Sequence, residues 1–203
     1  MNAFLARLIG AGRFALLAIL LGGSLAGCGV NNIPTQEEAA KAKWSQVLNQ
    51  YQRRADLIPN LVETVKGYAK QEAQVLEAVV NARARATSVQ LPADVLNNPE
   101  AFKKFQEAQS QLSGALGRLL VVTEAYPELK SNQNFLALQS QLEGTENRIS
   151  VARRDYIEAV QAYNTELKTF PGAIWASTLY KGNKPMETFT IADETKRPPQ
   201  VKF

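Results

Sequence analysis

The chain has 203 residues, no histidine and a single cysteine, with 23 Lys and Arg against 19 Asp and Glu. The missing histidine excludes Ser-His-Asp and Cys-His catalysis and ordinary zinc sites, and one cysteine excludes an internal disulfide. Two of the basic residues, Arg7 and Arg13, fall in an N-terminal stretch without acidic groups, so the remainder is nearly charge-balanced and lacks a nucleic-acid-binding footprint.

Residues 1–27 have the proportions of a signal peptide: a short basic region, then the apolar run Phe14–Leu21, then Gly22 and Gly23. The run is too short to span a membrane. Leu25-Ala26-Gly27-Cys28 resembles the bacterial lipobox, which implies that Cys28 is acylated and becomes the mature first residue. Stable anchoring needs more than one acyl chain, and the lipobox resemblance implies several. An uncleaved anchor with an incidental cysteine is the alternative; both tie the protein to a membrane. Gly29 is not the aspartate that retains Gram-negative lipoproteins at the inner membrane, so the outer membrane is expected in a Gram-negative source. Residues 28–34 are expected to be a linker.

Thr35 stands three residues before Glu38, a capping box that opens a helix. Trp44, Val47, Leu48, Tyr51 and Ala55 follow helical spacing up to Pro59. Beyond it, Leu61, Val62, Val65, Tyr68, Ala69, Leu76, Val79 and Val80 form one apolar face, with Asn60, Glu63, Lys70, Gln74, Glu77 and Asn81 opposite. Pro59 disfavours helical geometry at Ile58. It leaves two paths, a tight reversal at Asp56–Pro59 or a kinked continuous helix.

Residues 87–98, with Pro92 and Asn97-Asn98, break the pattern, and Asn98-Pro99 reads as N-cap and first helical residue. Phe102, Phe105, Leu112, Leu116, Leu119 and Val122 form the next stripe, ending near Tyr126. Gly114 and Gly117 within it suggest a close helix approach. After the connection at 127–131, Phe135, Leu138, Leu142, Thr145, Ile149, Ala152, Tyr156, Ala159 and Tyr163 alternate steps of three and four. That 3.5-residue repeat implies left-handed supercoiled packing of a helix from about Asn132 to Phe170. Pro171-Gly172 ends it; a short turn at 173–180 and an extended, mobile tail at 181–203 follow. The reading is an all-α protein, an antiparallel up-and-down four-helix bundle of long helices occupying residues 35–180.

Gln52–Ala69, QRRADLIPNLVETVKGYA, resembles the signature of the LemA family almost residue for residue. Tyr126-Pro127-Glu128-Leu129, Asn134-Phe135, Leu142–Ile149 (LEGTENRI), Tyr163-Asn164 and Phe170-Pro171 extend the resemblance over about Trp44 to Pro171. It implies a membrane-attached helical bundle facing outward, with no agreed activity and no catalytic residues to carry over. The chain departs from the family in three places. Gln71 stands where members often have histidine, a lipobox replaces the usual uncleaved membrane helix, and Phe189–Phe203 differs from the family's short aromatic ending.

Arg53, Arg54, Asp56 and Glu63 beside Pro59 are candidates for an anion-binding or acid/base group. Glu143, Glu146, Arg148, Arg153, Arg154 and Asp155 add charge from the last helix. Interhelical salt bridges and a solvated face account for the same residues. Glu143 and Glu146 share a helix face, but bundle di-iron sites want Glu-x-x-His, so no metal and no cofactor is expected. Chain lengths bring Gln52–Asn60 beside Tyr126–Phe135. That gathers Arg53, Arg54, Asp56, Asn60, Glu128 and Asn132 into one tip, which in the reversed bundle is distal, about 40 Å from Cys28. This tip is the candidate interaction surface. The function expected is a non-enzymatic interaction or scaffold module with an envelope protein as partner. The alternative is an envelope hydrolase using Asp or Glu with arginine support near the Pro59 break.

Cys28→Ala is expected to leave an unprocessed, unacylated precursor, seen as a heavier gel band that takes up no lipid label. Normal labelling of that variant would place the anchor elsewhere.

Overall fold

In a computed structural model of the protein, residues 29–90 and 92–190 are described. The expected leader at 1–27, Cys28 and the end of the tail lie outside them. Six α-helices follow in order: α1 Asn32–Tyr68, α2 Ala73–Ser88, α3 Pro99–Thr123, α4 Pro127–Lys130, α5 Gln133–Glu166 and α6 Gly172–Thr178. The described chain is all-helical, as expected. Its helices are divided differently.

α1 opens at Asn32, ahead of the expected capping box at Thr35, so the end of the supposed linker is helical. Ile33 is fully buried and draws the first turn onto the core, while Pro34 lies in that turn, where its missing N–H is not needed. Of the two paths open at Pro59, the chain takes the continuous one: no reversal occurs at Asp56–Pro59, and the 37-residue α1 runs through the proline. Its buried side is uninterrupted there, with Ala55, Ile58, Leu61, Val62 and Val65 all inside. The proline ring faces solvent. A helical proline deprives the carbonyl four residues earlier of its donor, here that of Ala55. Arg83 of α2 supplies a substitute, its Nε donating to Ala55 O at 2.7 Å. The turn comes ten residues later, where Ala69 leaves helical geometry (φ −126°, ψ 55°) and Lys70–Glu72 form a 3₁₀ turn.

α1 and α5 lie antiparallel along their whole length, and polar contacts between them mark the register. Asn32 Nδ2 donates to Glu166 at 3.2 Å, Lys43 meets Asp155 at 3.0 Å and Arg54 meets Glu146 at 2.8 Å. At the far end Asn132 Nδ2 donates to the Tyr68 hydroxyl at 2.9 Å. The expected seam on α5 is buried at Phe135, Leu142, Thr145, Ile149, Ala152, Tyr156 and Tyr163, with Val160 added. Asn132 caps the helix by accepting from Phe135 N. The α2–α3 hairpin covers the far half of this pair, where Tyr126 OH donates to Glu72 at 2.8 Å. Gly114 and Gly117 mediate no close approach, since a Cβ on either would meet only open space.

α2 stops at Ser88, so the near half has three helices and one wall to fill. The C-terminal segment fills it. Glu187 N donates to Leu96 O at 2.7 Å, and Asn164 bonds both the N–H and the carbonyl of Met186 at 2.8 and 2.9 Å. Tyr156 OH donates to Glu187 O at 2.8 Å. Met186 and Phe189 are buried, with Phe189 against Trp44, Phe102 and Tyr156 at ring distances of 5.1 to 6.0 Å. Thus the tail is extended at 183–190, but docked there instead of loose. The result is an aromatic core near residue 29 and an aliphatic core around Leu61, Val65, Val79, Leu112, Leu119 and Phe135 at the far end.

Arg83→Ala is expected to cost about 1–3 kcal/mol, the usual penalty for a buried acceptor left unpaired. With Pro59→Ala present, residue 59 regains its N–H and the same replacement should cost markedly less. Urea denaturation of the four proteins measures the coupling; equal costs in both backgrounds would show that Arg83 is not the substitute donor.

Candidate functional site

The two cores meet at a polar layer built on Arg54, whose side chain is only 1% exposed. Its position follows from helical spacing, three residues after the buried Tyr51 and four before the buried Ile58. Nη1 donates to Glu146 Oε1 and to Ser113 Oγ, each at 2.8 Å. Nη2 donates to Gln109 Oε1 at 2.7 Å and to Gln109 O at 3.2 Å. Gln109 in turn donates to Ala86 O at 3.4 Å, so one guanidinium is linked to α2, α3 and α5. The guanidinium also lies 5.0 Å from the centre of the Tyr51 ring. Only Nε lacks an acceptor.

A fully buried ion pair loses much of its gain to desolvation. Here the loss is smaller, because the Glu146 side chain stays 45% exposed while its oxygen reaches in to Arg54. Arg153, seven residues beyond Glu146, lays its guanidinium 4.4 Å from the Phe189 ring centre. A cleft of about 340 Å³ opens between these groups, lined by Arg54, Glu146, Arg153, Ser110 and Gln106 among others, with Thr190 on its wall. Burial pushes the Tyr51 hydroxyl pKa up, against the opposing pull of Arg153 and Arg54. Burial also raises that of Tyr156, whereas at Tyr126 the hydrogen bond to Glu72 is the main cause of a rise.

The structure does not bring the six candidate surface residues together. Arg54 is inside the bundle, while Arg53, Asp56 and Asn60 are exposed along the shaft of α1. Asp56 accepts from Gln52 Nε2 at 2.7 Å, one turn back on its own helix. Glu128 and Asn132 are at the far end with Tyr68, roughly 21 Å further along α1 than Arg54 at the helical rise. The later reversal, at Ala69–Glu72, is the reason. The acid/base group suggested beside Pro59 does not converge either. Glu63 turns to Lys66 at 3.6 Å, and Arg54 points inward to another helix.

Of the last helix's charges, Glu146 joins the Arg54 layer and Arg153 borders it. Glu143 accepts from Gln139 at 3.1 Å on the surface, Asp155 pairs with Lys43, and Arg154 reaches Glu158 at 3.9 Å. Among the described residues no three acidic, Cys or His groups are placed to hold a metal ion. Sequence reasoning missed Gln109 and Ser113. The signal was available for Gln109, which fills the gap between Phe105 and Leu112 in the apolar stripe of α3 and is buried with them.

The profile described as LemA family matches residues 43–203, continuing beyond Pro171 through the tail. Among curated proteins, the chain is similar to magnetosome proteins MamQ 1 and MamQ 2 of Paramagnetospirillum magneticum (strain ATCC 700264 / AMB-1). Each is 26% identical over 157 residues, covering 70% of this chain and 58% of the relative. Magnetosome protein MamQ of Magnetospirillum gryphiswaldense is 24% identical over the same length. The chain therefore spans 58% of the length of these relatives.

Glu146→Ala is expected to destabilise by roughly 3 kcal/mol, since it leaves a buried arginine without its counter-ion. Glu143→Ala, on the same helix but on the surface, should stay within about 0.5 kcal/mol. Chemical denaturation distinguishes them, and similar midpoints for both would mean that the Arg54 layer holds nothing in place.

Proposed function

The chain belongs to the LemA family, and from that premise we propose that it is a membrane-attached, non-enzymatic scaffold or interaction module of the bacterial cell envelope. The N-terminal segment holds it at the membrane, with Cys28 as the acylated residue and the outer membrane as the location in a Gram-negative source. Its partner is an envelope protein that meets the far end of the bundle.

One observation carries this reading. Gly29 and Asn32 stand at one end of a helix of 37 residues, which at the usual rise holds Tyr68 about 55 Å away. Among the described residues no helix is long and apolar enough to cross a membrane, and on this reading the attachment falls to residues 1–28. A rod tied at one end presents its other end. There Tyr68, Gln71, Glu124, Glu128 and Lys130 are exposed around the 69–72 and 124–132 turns. The MamQ relatives are named for the assembly they belong to and not for a reaction, which fits a structural role. Arg53, Asp56 and Asn60 remain available on the shaft, whereas Arg54 is part of the core.

Envelope crosslinking of the full chain carrying both Glu128→Lys and Lys130→Glu is expected to lose partner adducts that Arg53→Glu retains. Helicity and membrane fractionation should be unchanged in both. Loss of the adducts with Arg53→Glu alone would move the contact surface to the flank of α1.

A further inference from the structure

Eight large apolar side chains are exposed among the described residues, and most stand singly along the shaft, as at Val80, Val121, Leu136 and Val151. Isolated ones need no explanation. Three fall within ten residues at the near end: Phe170 is 83% exposed, Leu179 64% and Ile174 47%. Half-buried Trp175 and Tyr180 accompany them, and exposed Lys168, Lys181 and Lys184 flank them. None of these lysines forms an ion pair among the described residues, while Glu166 and Glu37 nearby are engaged elsewhere. Glu166 accepts from Asn32, and Glu37 holds Lys41 at 2.8 Å and Asn183 at 2.6 Å.

This end is also where the chain enters. Gly29, with φ of +93°, packs so closely that an added Cβ would lie 3.3 Å from Pro171 Cγ. Phe170 is the next residue. Consecutive Cα atoms are about 3.8 Å apart, so Gly29, where the described chain begins, lies within roughly 10 Å of Phe170. Gly172 fixes the arrangement from the other side. Its missing Cβ would sit 2.2 Å from Glu166 O, so α6 packs against the end of α5 where only glycine fits.

We propose that residues 168–184 form a lipid-contact surface, which seats Phe170, Ile174 and Leu179 in the headgroup region of the membrane. This rests on the attachment through residues 1–28 proposed above. Apolar side chains with adjacent aromatic rings and lysines are the composition that settles at the boundary between headgroups and acyl chains. The lysines add attraction to anionic headgroups, which is screened by salt. With the near end seated, the shaft is held away from the surface, where a single flexible tether would let it swing.

The test uses the full chain in vesicles of phosphatidylcholine and phosphatidylglycerol, with or without brominated acyl chains that quench tryptophan on contact. Phe170→Trp and Val121→Trp are compared in a Trp175→Phe background, leaving Trp44 inside the aromatic core. Flotation of the same samples reports attachment. The expected result is flotation of both variants, with several-fold stronger quenching at position 170 and little at 121. Flotation with neither position quenched overturns the lipid contact and leaves the attachment standing. Equal quenching at both positions also overturns it, because the rod would then lie flat. A protein that fails to float refutes the attachment, and the inference with it. Leu179→Trp repeats the measurement should the Phe170 variant lose helicity.

Discussion

The fork of Arg54 is the contact on which the arrangement of the long helices depends. A guanidinium out of water is tolerated only where its donors meet acceptors, and sliding any one helix by a turn would strand it. Gln109, Ser113 and Glu146 come from two other helices, and through Gln109 the bond to Ala86 brings in a third. Apolar seams alone specify this poorly, since steps of three and four repeat along every helix. A single buried charge between an aromatic and an aliphatic core makes the register unique. Arg54 and Glu146 lie in two of the stretches that resemble the family, 52–69 and 142–149. Their pairing gives those stretches a structural reason to occur together, one that requires no catalysis.

Much of the fold was legible because it rests on periodicity. The seam of α5 is buried where spacing placed it except at Leu138 and Ala159, which are half-buried, and Asn98 and Asn132 cap the helices they were expected to begin or adjoin. The turn after α1 was not legible. Pro59 carries a local penalty that any reading of nearby residues must count, whereas its compensation comes from Arg83, 24 positions away. The actual reversal at Ala69 has no proline, only a buried alanine that leaves helical geometry. Everything inferred about the distal tip inherited that displacement. By its charge Arg54 belongs with the surface groups, but by its position among Tyr51, Ala55 and Ile58 it belongs to the buried side of α1. A charged residue on an apolar stripe is better read as a buried one awaiting a partner.

The two halves of the rod are held by different means. Around Leu61 and Leu119 four helices enclose aliphatic side chains, and the packing is made by segments 60–142. Around Trp44 three helices enclose aromatic rings, and the fourth wall is a short extended segment held through its backbone by Asn164, Tyr156 and Leu96. Side-chain amides and hydroxyls that bond main-chain groups fix the path of that segment, and Met186 and Phe189 fix its depth.

The location of that last wall has a consequence for the order in which the molecule is made. Ile33, near the start of the described chain, and Met186 and Phe189, near its end, belong to one cluster. A polypeptide emerging from its amino end can assemble the aliphatic half once residue 142 is out. The aromatic half stays open until residues 186–189 appear. Contacts of such long sequence separation form late, since most of the chain must already be in place before they close. The part of the rod that is synthesised first is therefore the last to set.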